Sequence, residues 1–157
     1  MTVLRLAPVL FLSVAACCPS QRPEITPPPP ITVTQARSLI GTNWHLVAFQ
    51  PNDESPMVRY AEPAAYTLQI MANGRVAMQL DCNLGMGSWT SPDTKGTMGS
   101  ILFGPIASTM MACLDQGKSG AAPMPKMDWI RGYRIDGNQL SLSMQADGGQ
   151  YLWEARD

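Results

Sequence analysis

Charge is scarce in this chain of 157 residues: Asp, Glu, Lys and Arg make up 15%, where about a quarter is usual. Eleven basic and twelve acidic side chains leave a net charge of -1. No basic face is available to hold a phosphate backbone, and no acidic tail occurs, so nucleic acid is set aside as a partner. Histidine is scarcer still, with His45 the only one. A nucleophilic triad needs a base beside its Ser or Cys. His45 lies in a strand pattern next to Trp44, and no Gly-x-Ser-x-Gly elbow occurs, so the expectation is a protein that is not an enzyme and needs no cofactor. Apolar runs long enough to cross a bilayer are missing too; residues 6–16 are apolar but too few. Helical apolar periodicity is sparse, while 13 Gly and 14 Pro punctuate the chain. That combination predicts a loop-rich, mostly β domain. The length leaves room for one real core once the N-terminal region is set aside. Eleven methionines suit the filling of a small irregular core, and a Met-lined binding groove is the alternative reading.

The first residues read as an address. Arg5 supplies a positive start, residues 6–16 an apolar stretch, and Val14, Ala15 and Ala16 lead into Cys17. This resembles the lipobox of bacterial lipoproteins, which implies a signal peptide over 1–16, cleavage after Ala16 and acylation of Cys17. The other reading is an ordinary cleaved signal peptide, which would leave the adjacent Cys17 and Cys18 as free thiols in an oxidising compartment. The acylated residue could also be Cys18, although that window fits less well. An Asp after the acylated cysteine commonly retains such proteins in the inner membrane. Cys18 stands there instead, so the resemblance implies the outer membrane of a Gram-negative envelope, facing the periplasm. Several acyl chains at ~0.8 kcal/mol per buried methylene make a stable membrane anchor. Residues 17–33 then form the attachment site and a tether. Pro19, Pro23 and Pro27 to Pro30 favour polyproline II, and about a dozen such residues reach roughly 40 Å.

Residues 34–157 read as the folded domain. A short helical turn over 34–40, capped by Thr34, is predicted to end at Gly41. Residues 42–49 follow as a strand with Trp44, Leu46 and Ala48 on one face. Residues 51–63 read as a polar loop. Two alternating segments, 66–70 and 76–80, flank Asn73-Gly74, the strongest short hairpin signal. Their apolar faces carry Tyr66, Leu68 and Ile70 beside Val76, Met78 and Leu80, and Cys82 continues the parity inward. Further strands are predicted over 88–90 and 97–103, ended by Gly104-Pro105. Residues 108–113 bring in Cys113. One or two helical turns are predicted over 126–131. Two strands about the Asp136-Gly137-Asn138 turn and a last strand from Gln150 complete the domain. Strands spaced this way predict a mostly β fold, a small antiparallel sheet curled into a partly open barrel, with the helical turns over 126–131 as its α part (α+β).

In an oxidising compartment Cys82 and Cys113 form a disulfide candidate. Zinc held by Asp81, Cys82, Cys113 and His45 is the competing assignment, but the close Cys spacing of zinc sites is absent. Ser108 and Thr109 are read as structural hydroxyls bonding neighbouring backbone, with an active-site pair as the other reading. Trp89, Trp129 and Trp153 are read as core or rim anchors rather than a binding mouth.

Five pieces in order carry a family resemblance: Gly41-Thr42-Asn43-Trp44-His45-Leu46; Asn73-Gly74-Arg75-Val76; Cys82-Asn83 with Gly87 after it; Ser108-Thr109-Met110-Met111-Ala112-Cys113; and the run from Tyr133 to Leu142. Over residues 41–153 the chain resembles the META domain family, which includes the HslJ-like heat-shock-associated proteins. The resemblance implies a curled antiparallel sheet with a helix packed on it and marks Trp44, Asn83, Gly87, Ser108 and Thr109 as structural motif residues. It carries over no catalytic residue. The family's helix after the second cysteine should be short here or displaced towards Met127. The expected function is a lipid-anchored envelope module that binds or stabilises a protein or lipid partner under stress. The alternative is a small barrel holding an apolar ligand or lipid.

Overall fold

Period-two alternation builds this protein. The computed structural model describes residues 37–113 and 124–156. In chain order its strands are β1 (Asn43–Gln50), β2 (Val58–Arg59), β3 (Tyr66–Ile70), β4 (Arg75–Leu80), β5 (Asn83–Thr90), β6 (Met98–Ser100), β7 (Leu102–Phe103), β8 (Ala107–Ser108), β9 (Ile130–Asp136), β10 (Gln139–Met144) and β11 (Gln150–Ala155). In β1, β3, β4, β9, β10 and β11 the apolar parity faces one core. Trp44 and Leu46 of β1, Leu68 and Ile70 of β3, Leu140 and Leu142 of β10 and Trp153 of β11 have no exposed surface at all. Burying a side chain of this size contributes about 1.5–3 kcal/mol relative to leaving it in water, so these rows fix which face turns inward.

The sheet runs β6-β9-β10-β11-β1-β3-β4-β5-β7, with β2 against β1 and β8 against β5. Every pairing is antiparallel. The curl can be read from the ends of that order. The predicted strand over 97–103 is split at Ile101. Before it, β6 pairs with β9; after it, β7 pairs with β5. A single residue therefore carries the chain from one end of the sheet to the other. Ile101 is wholly buried, and its N–H donates to the Arg131 carbonyl at 3.1 Å. An irregularity between Leu46 and Ala48, opposite Trp153 and Leu152, adds bend to β1. The result is a curled antiparallel half-barrel.

Among the described residues the predicted helix does not form: the only helical turns there are two 3-10 turns of three residues each, Pro63–Ala65 and Met127–Trp129. The second turns extended at Ile130, where β9 begins at once. Three residues cannot repay the cost of helix nucleation. The turn predicted over 34–40 does not form over its described part, 37–40. Residues 34–36 lie outside the described residues. Over 37–40 the backbone is tied to the sheet: Arg37 N–H donates to Gly137 O at 3.0 Å and Gly41 N–H to Ile70 O at 2.9 Å. Leu39 is buried.

The Asn73-Gly74 signal marks a real hairpin of another kind. Met71 N–H donates to Arg75 O at 2.9 Å and Gly74 N–H to Met71 O at 3.2 Å, which leaves three residues in the loop. Of Asn73 and Gly74 only Gly74 has positive φ, +76°. That is a turn closed by a left-handed glycine, not the two-residue turn in which both positions are left-handed.

All four tyrosines are buried in the core, and three of them make ring pairs. Tyr60 meets Tyr66 edge-on at 5.0 Å, and Tyr151 packs on Phe49 at 4.9 Å. Burial, with the nearby Tyr151 and Tyr66 rings adding, pushes the Tyr60 phenol above its ordinary range. Burial also raises Tyr151, against the lowering effect of the Lys126 N–H that its oxygen accepts. An acid whose pKa rises on folding holds its proton longer in the folded state, so the folded state binds more protons above about pH 10. Stability should be level below that pH and fall as pH climbs through the folded-state values. Urea midpoints followed from neutral pH upward should show this decline, and Tyr60→Phe should make it shallower.

Candidate functional site

The site is assembled where β4 turns into β5. Leu80 pairs with Asn83, so Asp81 and Cys82 make the whole turn. Asp81 takes φ of 60°, a left-handed conformation that Asp tolerates better than most residues. Its N–H donates to Ala65 O at 2.8 Å. Because the strand ends at Leu80, Cys82 does not continue the inward row as expected; it sits half-buried at the turn. There it is joined to Cys113 in a disulfide, with a Cα–Cα distance of 5.6 Å and a sequence separation of 31. Cys82 N–H points at the Cys113 sulfur at 3.3 Å.

Asn83 is the second half of the clasp. Its Oδ1 accepts the Met111 N–H at 2.6 Å and the Thr109 hydroxyl at 3.0 Å. Its Nδ2 donates to the Met111 carbonyl at 3.2 Å. One side-chain amide thus satisfies both polar groups of Met111, as a neighbouring strand would. Thr109 adds a second tie: its Oγ1 accepts the Leu84 N–H, and its own N–H donates to Leu84 O, both at 3.0 Å. Ser108 pairs with Gly85 in β8. Residues 107–113 therefore form a strap fastened to β5 by a short ladder, an amide clasp and a disulfide. Asn83→Asp keeps the acceptor but sets a carboxylate oxygen against the Met111 carbonyl. It should cost about 1–2 kcal/mol, read as a lower urea midpoint, and should speed amide exchange at Met111.

Gly87 serves the same strap from the other end of β5. A Cβ there would lie 2.8 Å from the Pro105 carbonyl oxygen and 2.5 Å from the Ile106 side chain. Only glycine admits so close an approach. Ile106 lies over the glycines of β5 and packs against the core.

The remaining candidates fall elsewhere. Trp44 is wholly buried in β1, its indole N–H 3.5 Å from Leu39 O. Trp89 is buried and donates to Met71 O at 2.9 Å. Trp153 is buried with its N–H unpartnered among the described residues. Only Trp129 lies at the rim, 40% exposed, with the Lys126 ammonium 5.3 Å from its ring centre. His45 is half-buried in β1, its Nδ1 buried and without a hydrogen-bond partner among the described residues. No hydrogen bond joins it to Ser108 or Thr109; the Thr109 hydroxyl is spent on Asn83. The two cysteines that would have ligated zinc are bonded to each other. No group of three or more His, Cys, Asp or Glu among the described residues is placed to hold a metal. Cys17, Cys18, the signal segment and the tether lie outside the described residues.

What sequence reasoning missed is the outer face of the strap. Met110 is 95% exposed, Met111 58% and Met124 48%, and Leu84 and Met86 stand out from β5. Met110, Met111 and Met124 line a recess of about 440 Å³ beside Asn83 and Thr109. A second recess of about 530 Å³ is lined by Met78, Leu80, Phe103, Ile106 and Met127, with Asp128 at its edge. The usable signal was the outward parity of Leu84 and Met86 against the inward Gly85 and Trp89.

The fold and the clasp define a class: a small, curled antiparallel β protein whose strap is bound to one strand by a disulfide and an asparagine. The model of the META domain matches residues 37–156, and the chain belongs to that family. It is similar in fold to a crystal structure of a DUF4847 family protein from Bacteroides vulgatus ATCC 8482, with a TM-score of 0.51 and 13% identity over 76% of this chain and 96% of that one. An NMR structure of a protein from Burkholderia xenovorans matches with a TM-score of 0.49 and 20% identity over 75% of this chain and 83% of that one. No curated protein matches the chain.

Proposed function

We propose that this META-domain protein is a lipid-anchored binding module of the cell envelope, without catalytic activity, that docks on a partner protein and stabilises it under stress. The anchor is acylated Cys17 and the spacer the proline-rich stretch before residue 34. The observation that carries the docking role is the strap: a disulfide-clasped backbone that holds large apolar side chains, Met110 above all, out in water. A folded protein that fixes an apolar patch in solvent offers it to a partner, and fastening the backbone lowers the ordering cost of binding. A photo-crosslinking residue at position 110 should give one discrete adduct in intact cells, and the same residue at Glu54, on the exposed 51–57 loop, should give none. Equal adducts from both positions would end the docking reading. Labelling with an acyl analogue that persists in Cys17→Ala would end the anchoring one.

The second reading, a small apolar ligand or lipid, rests on the recess walled by Phe103, Ile106 and Met127. Its volume lies within the range of small-molecule sites. A fluorescent fatty acid should bind the wild type and be excluded by Ile106→Trp if that recess holds it.

A further inference from the structure

Three methionines border the recess beside the clasp. Met110, Met111 and Met124 line it, although methionine is ordinarily a core residue. Their exposures are 95%, 58% and 48%. The strap that carries Met110 and Met111 is fastened at Thr109, Met111 and Cys113. Met111 is fixed through its N–H and C=O by Asn83, Thr109 by Leu84, and Cys113 by Cys82.

The chemistry of the lining is selective. A thioether is a neutral, soft donor that suits Cu(I)-like ions and is a poor ligand for Mg²⁺ or Ca²⁺. The remaining lining residues are Asn83, Ser108, Thr109 and Ala112, so no carboxylate, imidazole or thiolate competes. The Asn83 amide and the Thr109 hydroxyl are committed to the clasp. Leucine would supply the same apolar area to a docking partner; only methionine adds a sulfur lone pair.

We propose that this recess is a binding site for a soft monovalent cation of the Cu(I) class, held by the sulfurs of Met110, Met111 and Met124. The proposal goes beyond the docking role and stands without it. Leucine at all three positions preserves the apolar face and removes the donors, so the two fail separately.

The test uses the full chain with Cys17→Ser and Cys18→Ser, its disulfide intact and its methionine methyls labelled with ¹³C. Ag(I), a redox-silent stand-in for Cu(I), is the probe. Three methyl signals should move together and saturate at one equivalent, and each should be the one lost in Met110→Leu, Met111→Leu or Met124→Leu. Each replacement should weaken Ag(I) binding about tenfold, the equivalent of one step in the affinity scale, and Zn(II) should move no signal. Met57 and Met98, exposed at 38% and 61% and outside the recess, serve as controls within the same molecule. If Ag(I) shifts them as readily as Met110, or if the triple variant binds Ag(I) as tightly as its parent, the site does not exist.

Discussion

Cys113→Ala is expected to lower the free energy of unfolding by about 3–4 kcal/mol, the loop-closure contribution of a cross-link spanning roughly thirty residues. The disulfide joins positions 31 apart, and a domain of this size has only about 5–15 kcal/mol in all. At about 4–8 °C per kcal/mol for a domain near 100 residues, the melting temperature should fall by well over 10 °C. Cys82→Ala should match it, the double variant should be no worse than either single one, and reductant should reproduce the loss in the wild type alone. Thiol titration of the denatured, unreduced protein carrying Cys17→Ser and Cys18→Ser is the direct check. Two reactive thiols in envelope-derived material would show that the bond does not form there. The strap should suffer more than the sheet: Asn83 and the Leu84–Thr109 ladder remain, but the end at Cys113 is released. Amide exchange should therefore quicken over 109–113 before it does in β10 or β11.

Trp44→Ala should be as damaging for a different reason. The indole is wholly buried at the start of β1, a strand that pairs with β11 on one side and with β3 and β2 on the other. Removing it takes away the transfer energy of a large aromatic and leaves a cavity that a close-packed sheet cannot collapse, for about 3–5 kcal/mol. It also strips Leu39 O of its indole donor, loosening the segment before β1. Chemical denaturation should show the loss with an unchanged denaturant slope. Trp153→Phe is the informative contrast. That indole N–H is buried without a partner among the described residues, so its removal relieves a desolvation penalty and offsets part of the lost packing. A Trp153→Phe protein as unstable as Trp44→Ala would show that packing alone governs both sites.

The strap's use is a question of surface rather than stability. Met110 contributes little to the fold at 95% exposure, so leucine there should leave melting and the apolar docking face unchanged while testing ion binding alone. That separation makes the functional proposals testable without a folding artefact.

The amino-acid sequence by itself determined the rows of the core. A strand has a period of two, and Trp44-Leu46-Ala48, Tyr66-Leu68-Ile70, Val76-Met78-Leu80 and Leu140-Leu142 turn inward because any other register would put them in water. It determined the positions of the hairpins at Gly74 and Gly137 and offered Cys82 and Cys113 as a disulfide candidate, which the fold brings together. It did not determine the turn at Asn73-Gly74, because Asn accepts either backbone region and the Met71–Arg75 bonds chose between them. It misled about the helix: residues 126–131 lack the length to support one, and β9 claims Ile130 first. The closing of the sheet at Ile101 belongs to tertiary structure alone, since a one-residue switch between β9 and β5 leaves no mark on alternation. So does the clasp. Asn83 could have solvated its amide as any surface asparagine does. Only the arrival of Met111 from 28 positions away turns it into a strand edge, and only that edge holds Met110 out in solvent.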